Sequence, residues 1–107
     1  MVAELRAGVI GLGMGKRHAQ AYREIKGSSL VAVCDADDEK VRQVTTEVGA
    51  EVGTTEWREL CDLNLDVISV CSPDHLHHQM TKGALEAGAH VLCEKPMTTT
   101  LEDAVDL

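Results

Sequence analysis

Aromatic residues are almost absent from this chain of 107 residues. They make up 2% of it, with Trp57 and Tyr22 as the only two and no phenylalanine. Because 44% of the residues are nevertheless hydrophobic, the core must be built from aliphatic side chains. A chain of this length buries roughly two thirds of the surface that its unfolded form exposes. Residues 1–107 are therefore enough for one domain with its own core, and too few for two.

Positive charge is also scarce. Ten lysines and arginines stand against 18 aspartates and glutamates, which leaves a formal net charge of -8. The basic surface that binds a phosphate backbone is missing, so we expect no nucleic-acid partner. No apolar run approaches the roughly 20 residues that cross a bilayer, and the N-terminus lacks the apolar core of a signal peptide. We expect a soluble, cytoplasmic protein without a membrane partner.

Closely paired cysteines are missing as well. The absence of any C-x-x-C pair argues against a zinc knuckle and against a dithiol redox motif. The four cysteines are Cys34, Cys61, Cys71 and Cys93. Buried cysteine behaves as a small hydrophobic residue, and three of the four end predicted strands. We expect reduced thiols that pack in the core.

Two hydrophobic periods alternate along the chain. Short apolar runs of the kind that form buried strands occur at residues 7–11, 30–34, 67–71 and 89–93, and a weaker strand pattern occurs at residues 51–53. Helical spacing predicts helices from 15 to 26, from the acids at 35–39 to Gly49, around 57–61, from 72 to about 88, and after 99. This alternation predicts an α/β fold, a Rossmann-type doubly wound parallel sheet.

Two of these helices carry recognisable start signals. Ser72 is expected at the N-cap of its helix, with Pro73 at the first helical position and Asp74 in the first turn. Thr99 and Glu102 have the spacing of a capping box.

A glycine-rich turn follows the first strand, in the string Gly11-Leu12-Gly13-Met14-Gly15-Lys16. In an open α/β sheet, ligands bind outside the carboxyl ends of the strands. Glycines at this position let a pyrophosphate approach a helix N-terminus, whose free N–H groups favour negative charge. The spacing departs from G-x-G-x-x-G, because Lys16 stands in place of the third glycine and Gly15 comes one position early. A plain tight turn is the alternative.

Asp35 ends the second strand, where a carboxylate can accept both hydroxyls of an adenosine ribose and repel a 2′-phosphate. Asp37 and Asp38 follow closely, so the sequence predicts a preference for NAD over NADP. The alternative is that Asp35 only caps the helix beside it.

Three histidines, His75, His77 and His78, follow the fourth strand. No cluster of acids or thiolates occurs at a metal-ligand spacing from these histidines, so we expect no metal site. They are better interpreted as solvent-facing residues or ligand contacts.

Glu94-Lys95-Pro96 follows the fifth strand. Proline biases Lys95 toward an extended backbone, which would hold its side chain at the strand end. A lysine there is suited to exchange a proton with a substrate or to donate a hydrogen bond to it. A surface lysine in a loop is the alternative.

These strings resemble the N-terminal half of the glucose-fructose oxidoreductase, inositol dehydrogenase and related (Gfo/Idh/MocA) family. The resemblance covers essentially the whole chain and rests on Gly11 to Gly15 with His18, on Ser72-Pro73-Asp74 with His77, and on the string Leu85 to Pro96. The last string is the most specific. The family commonly has Asn where Asp74 stands, which adds a negative charge here.

The resemblance implies a nicotinamide-dependent oxidoreductase that acts on a sugar, polyol or related alcohol, with NAD as the expected cofactor. It implies that Lys95 is the catalytic residue. The implied cofactor contacts are Gly11, Gly13, Met14, Gly15, Asp35, Ser72, Pro73, His77, Glu94 and Lys95. Family members are longer, with a second, sheet-rich domain for the substrate. We therefore expect residues 1–107 to be a truncated NAD(P)-binding domain without turnover of its own, and the complete protein to be a homo-oligomer.

Two other functions stay open. One is a module that holds a dinucleotide without chemistry. The other is a methyltransferase of similar strand order that binds S-adenosylmethionine, although Glu94-Lys95-Pro96 argues against it.

Overall fold

The computed structural model describes residues 4–93 and 101–107 of the chain. The strands are β1 (Leu5–Ile10), β2 (Ser28–Cys34), β3 (Val52–Thr54), β4 (Val67–Val70) and β5 (His90–Cys93). The helices are α1 (Gly15–Glu24), α2 (Asp38–Val48), α3 (Trp57–Cys61), α4 (His77–Glu86) and α5 (Leu101–Asp106), with a short 3₁₀ helix at Asp74–Leu76.

The five strands form one parallel sheet in the order β3-β2-β1-β4-β5. This order confirms the predicted doubly wound sheet. The chain runs outward from β1 to β3, then returns past β1 to build β4 and β5, so the order reverses between β1 and β4. Ile10 of β1 pairs with Cys34 on one side and with Val70 on the other. The loops after these three strands therefore meet at one edge, where such sheets bind ligands.

Two aliphatic clusters form the core. The side chains of Val9 and Ile10, neighbours on β1, belong to different clusters, as the alternation of a strand requires. Residues of α1 and α2 pack in the cluster of Val9, and residues of α3 and α4 pack in the cluster of Ile10. The predicted helix face Val41, Val44 and Val48 is buried, and α2 stops at Gly49 with a φ of 71°.

None of the four cysteines is in a disulfide, which confirms the expectation of reduced thiols. Cys34 and Cys61 lie in the core, and Cys71 and Cys93 pack against it. Burial, followed by the nearby carboxylate of Asp35, raises the pKa of the Cys34 thiol to about 12. Burial also raises the pKa of the Cys61 thiol.

The predicted N-cap at Ser72 is wrong. After β4 the chain first forms the 3₁₀ helix, in which the Leu76 N–H donates to the Pro73 carbonyl at 2.9 Å. Helix α4 therefore begins only at His77, and its N-cap is Leu76, which has no side-chain acceptor. The first helix also ends early, at Glu24, which leaves Ile25 56% exposed. Thr99 lies outside the described residues, and α5 begins at Leu101.

Among the described residues, no helix combines the length and the apolar character that crossing a membrane requires.

Candidate functional site

A cavity of about 560 Å³ lies at the carboxyl edge of the sheet. It is bounded by the loops after β1, β2, β3 and β4 and by the first turns of α2 and α4. The residues that line it are Ile10, Gly11, Leu12, Gly13, Cys34, Asp35, Ala36, Lys40, Thr55, Trp57, Cys71, Ser72, Pro73, Leu76, Gln79 and Met80. Most of these side chains are apolar, as in binding sites for small molecules.

Gly11 allows the loop after β1 to come close to the loop after β4. Its φ of 93° is in the left-handed region, and its N–H donates to the Cys34 carbonyl at 2.7 Å. A Cβ at this position would lie 2.6 Å from the carbonyl carbon and oxygen of Cys71 and from the Ser72 nitrogen. Because all three are backbone atoms, only glycine fits, so the end of β1 can contact the end of β4 directly.

Gly13 and Gly15 serve different purposes. A Cβ on Gly13 would meet nothing within 4 Å among the described residues, so its backbone faces open space in the cavity. A Cβ on Gly15 would lie 2.8 Å from Cγ1 of Val9 and 3.2 Å from Cβ of Cys71. Gly15 is the first residue of α1, and its lack of a side chain lets this helix start close to the sheet. The N–H groups of Lys16 and Arg17 in the first turn of α1 donate to the carbonyls of Gly13 and Met14, at 3.4 Å and 3.1 Å.

Asp35 is bonded to the glycine-rich loop. One carboxylate oxygen accepts the Leu12 N–H at 2.8 Å, and the other accepts the Asp37 N–H at 2.9 Å. The side chain of Leu12 is 2% exposed and packs in the core, which fixes the position of its N–H. The interpretation of Asp35 as the cap of α2 is wrong, because Asp37 is the N-cap and accepts the N–H groups of Glu39 and Lys40.

Ser72 and His77 form a buried pair. The imidazole Nε2–H of His77 donates to the Ser72 carbonyl at 2.6 Å, and His77 is 1% exposed. His77 is therefore not solvent-facing, and it lies behind the cavity wall, where it holds the backbone of Ser72. Within the described residues, the buried Ser72 hydroxyl has no hydrogen-bond partner.

The structure brings together five of the predicted contacts, Gly11, Gly13, Asp35, Ser72 and Pro73, as residues that line the cavity. Gly15 lies beneath the loop, and Met14 is 60% exposed at the N-cap of α1. Glu94 and Lys95 lie outside the described residues.

Several lining residues were not predicted: Lys40, Thr55, Trp57, Leu76, Gln79 and Met80. Trp57 packs against Gly83 of α4, where a Cβ would come within 2.6 Å of the ring, and the guanidinium of Arg58 lies 4.5 Å from the ring centroid. The sequence offered one signal for Trp57, which is its place just after the third predicted strand.

The three histidines have separate environments. In the described part of the chain, no three His, Cys, Asp or Glu side chains are grouped as metal ligands. His78 Nε2 and Lys82 Nζ lie 2.7 Å and 2.9 Å from one carboxylate oxygen of Asp106 on α5. Hydrogen bonds from Lys82 and His78 lower the pKa of that carboxyl.

The chain is similar in sequence to a family of known proteins. The family model for Gfo/Idh/MocA proteins, described as an oxidoreductase family with an NAD-binding Rossmann fold, matches residues 5–107. D-glucoside 3-dehydrogenase of Escherichia coli (strain K12) is 40% identical in an alignment of 106 positions, which covers 96% of this chain and 30% of that protein. Inositol 2-dehydrogenase 1 of Saccharopolyspora erythraea is 38% identical in an alignment of 105 positions, which covers 94% of this chain and 31% of that protein.

The crystal structure of a related protein has the same fold. Scyllo-inositol dehydrogenase from Lactobacillus casei, with bound cofactor NAD(H) and scyllo-inositol, aligns with a TM-score of 0.90 at 27% identity. The alignment covers 96% of this chain and 31% of that one. The chain thus spans about 30% of the length of the curated relatives it matches.

Proposed function

The chain belongs to the Gfo/Idh/MocA oxidoreductase family, and we propose that it is the NAD-binding part of a dehydrogenase acting on a sugar, polyol or related alcohol. The observation that carries the proposal is one cavity in which open space at Gly13 lies beside the carboxylate of Asp35. A dinucleotide needs both features, a close approach to backbone N–H groups and an acceptor for its ribose.

The residues present fit the pyrophosphate of NAD. The backbone N–H groups of Gly13, Met14 and Gly15, which precede the bonded N–H groups of Lys16 and Arg17, and the positive end of the α1 dipole are suited to bind phosphate. Gly13 leaves room for phosphate oxygens to reach the backbone. The Ser72 hydroxyl, buried and without a partner in the described chain, supplies a further donor at this wall of the cavity.

Asp35 and the apolar wall fit the adenosine. An ionised carboxylate offers roughly four acceptor positions, and the structure uses two of them for backbone N–H groups. The other positions are available for ribose hydroxyls. Pro73, Leu76 and Met80 supply the apolar surface against which an adenine ring can pack.

NAD, when bound, supplies the hydride acceptor or donor of the reaction. Lys95 is proposed as the group that exchanges the proton with the substrate oxygen, on the strength of its place after β5 and of the family resemblance. The substrate class comes from the relatives, which include dehydrogenases of glucosides and inositol. Four cysteines that form no disulfide fit a reducing compartment, so we propose a cytoplasmic location.

Titration of the chain with NAD tests the proposal, because Trp57 is its only tryptophan and lines the cavity. NAD should change the Trp57 fluorescence saturably, and S-adenosylmethionine should not. Calorimetry on the same samples excludes absorption of light by the nucleotide as the cause. Saturable binding of S-adenosylmethionine alone, or of no nucleotide by a folded chain, would refute the proposal.

A further inference from the structure

The first turn of α1 is basic and contains no acidic residue. Lys16, Arg17 and His18 follow one another directly after the glycine-rich loop. A cation at this place is unfavourable in a helix, because it lies at the positive end of the helix dipole. In a chain with a net charge of -8, this concentration of basic residues is suited to an anionic ligand beside the loop.

Lys16 is bound to the neighbouring helix. Its Nζ lies 2.6 Å from Oε2 of Glu47, near the end of α2, and the two side chains are 38% and 41% exposed. The side-chain amide of Gln43 donates to the other carboxylate oxygen of Glu47 at 3.2 Å, so the carboxylate is held from two sides. The hydrogen bond from Lys16 lowers the pKa of the Glu47 carboxyl, which keeps this carboxylate ionised at neutral pH.

A lysine at the second position of α1 can also turn the other way. The Cα–Cβ bonds of an α-helix tilt toward its N-terminus, so the Lys16 side chain starts out toward the glycine-rich loop. Its own N–H donates to the Gly13 carbonyl at 3.4 Å, yet Lys16 is not among the described residues that line the cavity. The ion pair with Glu47 therefore keeps a cation just outside the space proposed for the pyrophosphate.

We propose that Glu47 is a positioning residue, which holds the Lys16 ammonium group away from the glycine-rich loop and so weakens the binding of the dinucleotide's pyrophosphate. This inference rests on the proposed function, because it takes the pyrophosphate of NAD as the anion. Glu47 does not line the cavity, so its effect on the cofactor is exerted through Lys16. A released ammonium group attracts the phosphates and can form a charge-assisted hydrogen bond with them.

The test is the dissociation constant of NAD, measured by calorimetry at low ionic strength. Glu47→Gln should bind NAD about fivefold more tightly than the wild type, the effect of one charge near a helix N-terminus. A purely structural role of Glu47 predicts a loss of affinity instead. The gain should shrink at about 1 M salt, where the screening length falls to about 3 Å.

Glu86→Gln is the matched control. It removes the same charge from an exposed residue at the end of α4 that does not line the cavity. Its affinity for NAD should stay within about twofold of the wild type, because a distant charge acts weakly through water.

Two further variants show whether the gain comes from Lys16. Lys16→Met alone should change the affinity by less than about twofold, because Glu47 already neutralises Lys16 in the wild type, and Glu47→Gln/Lys16→Met should lose the gain. If Glu47→Gln binds NAD no more tightly than Glu86→Gln, or if the double variant keeps the gain, the role of Glu47 is refuted and the proposed function stands. A wild-type chain that is folded by circular dichroism and binds no NAD refutes the proposed function and this inference with it.

Discussion

Separate substitutions of Gly11 and Gly13 should show that the fold depends on the first glycine and NAD binding on the second. Alanine at position 11 adds a methyl group to a residue with a φ of 93°. A non-glycine residue in that region costs about 1 kcal/mol or more. The new Cβ also lies 2.6 Å from three backbone atoms of the loop after β4, which cannot move aside as a flexible side chain would.

Overpacking of this kind costs about 2 kcal/mol, so Gly11→Ala should lower the free energy of unfolding by about 3 kcal/mol in total. That is a large part of the roughly 5 to 15 kcal/mol by which a domain of this size is stable. Gly13→Val is the contrasting variant, since a Cβ there meets nothing within 4 Å among the described residues. It should leave the stability within about 1 kcal/mol and abolish NAD binding, because valine fills the space that the pyrophosphate needs.

Urea unfolding followed by circular dichroism measures the stability of both variants, and calorimetry measures NAD binding by Gly13→Val. If Gly11→Ala is as stable as the wild type, the contact between the loops after β1 and β4 is not as close as the structure has it. If folded Gly13→Val binds NAD with normal affinity, the loop is only a turn.

Three further predictions concern other parts of the molecule. His77→Phe should lower the free energy of unfolding by about 1 to 3 kcal/mol in urea melts, because the buried Ser72 carbonyl loses its donor; an unchanged midpoint would contradict this. The stability should fall as the pH rises from 9 toward 12, because the Cys34 thiol ionises near its ordinary pKa of 9.0 when unfolded but only near about 12 when folded; the same slope in Cys34→Ala would refute the assignment. The chain should self-associate in light scattering at moderate salt, because β5 is an edge strand in the described sheet and Leu92, Leu101 and Val105 are 54%, 82% and 78% exposed; a sharp monomer peak for the wild type at high protein concentration would contradict this.

The fold could be predicted from the sequence because strand and helix periods alternate without interruption. Parallel strands bring their carboxyl ends to one edge, so the positions after strands one, two and four indicate where the cavity is. Gly11, Asp35 and Ser72 are far apart in the chain, and all three line the cavity. Topology alone places them together, without knowledge of any side-chain contact.

The residues between β4 and α4 could not be predicted in the same way. The string Ser72-Pro73-Asp74 has the local pattern of a helix start, and local patterns favour a cap. The structure differs because the chain forms a 3₁₀ turn at Asp74–Leu76 and His77 then donates to the Ser72 carbonyl from the first turn of α4. The sequence around His77 gives no sign that this histidine is buried.

Lys40 and Trp57 were missed for a different reason. Both stand in or next to helices, and the sequence does not fix how far a helix is rotated about its axis relative to the sheet edge. Four residues lie between Asp35 and Lys40, and the acids among them dominate the local charge pattern. Only the capping bond of Asp37 and the ion pair of Asp38 show that these two charges are used elsewhere.

The bond between Leu12 and Asp35 makes the glycine-rich loop and the proposed ribose acceptor one unit. Leu12 is anchored in the core, its N–H donates to Asp35, and Asp35 in turn accepts the N–H that precedes α2. Removing the Asp35 side chain would therefore free the backbone of the glycine-rich loop as well as delete a charge, so both NAD and NADP would bind less well to Asp35→Ala. Asp35→Asn deletes the charge but keeps one oxygen, which can still accept the Leu12 N–H while the bond to the Asp37 N–H is lost. Under the proposed function, the relative affinities for NAD and NADP therefore depend on the position of the loop as well as on the charge at residue 35, and we expect variants that keep an acceptor for the Leu12 N–H to lose the least affinity.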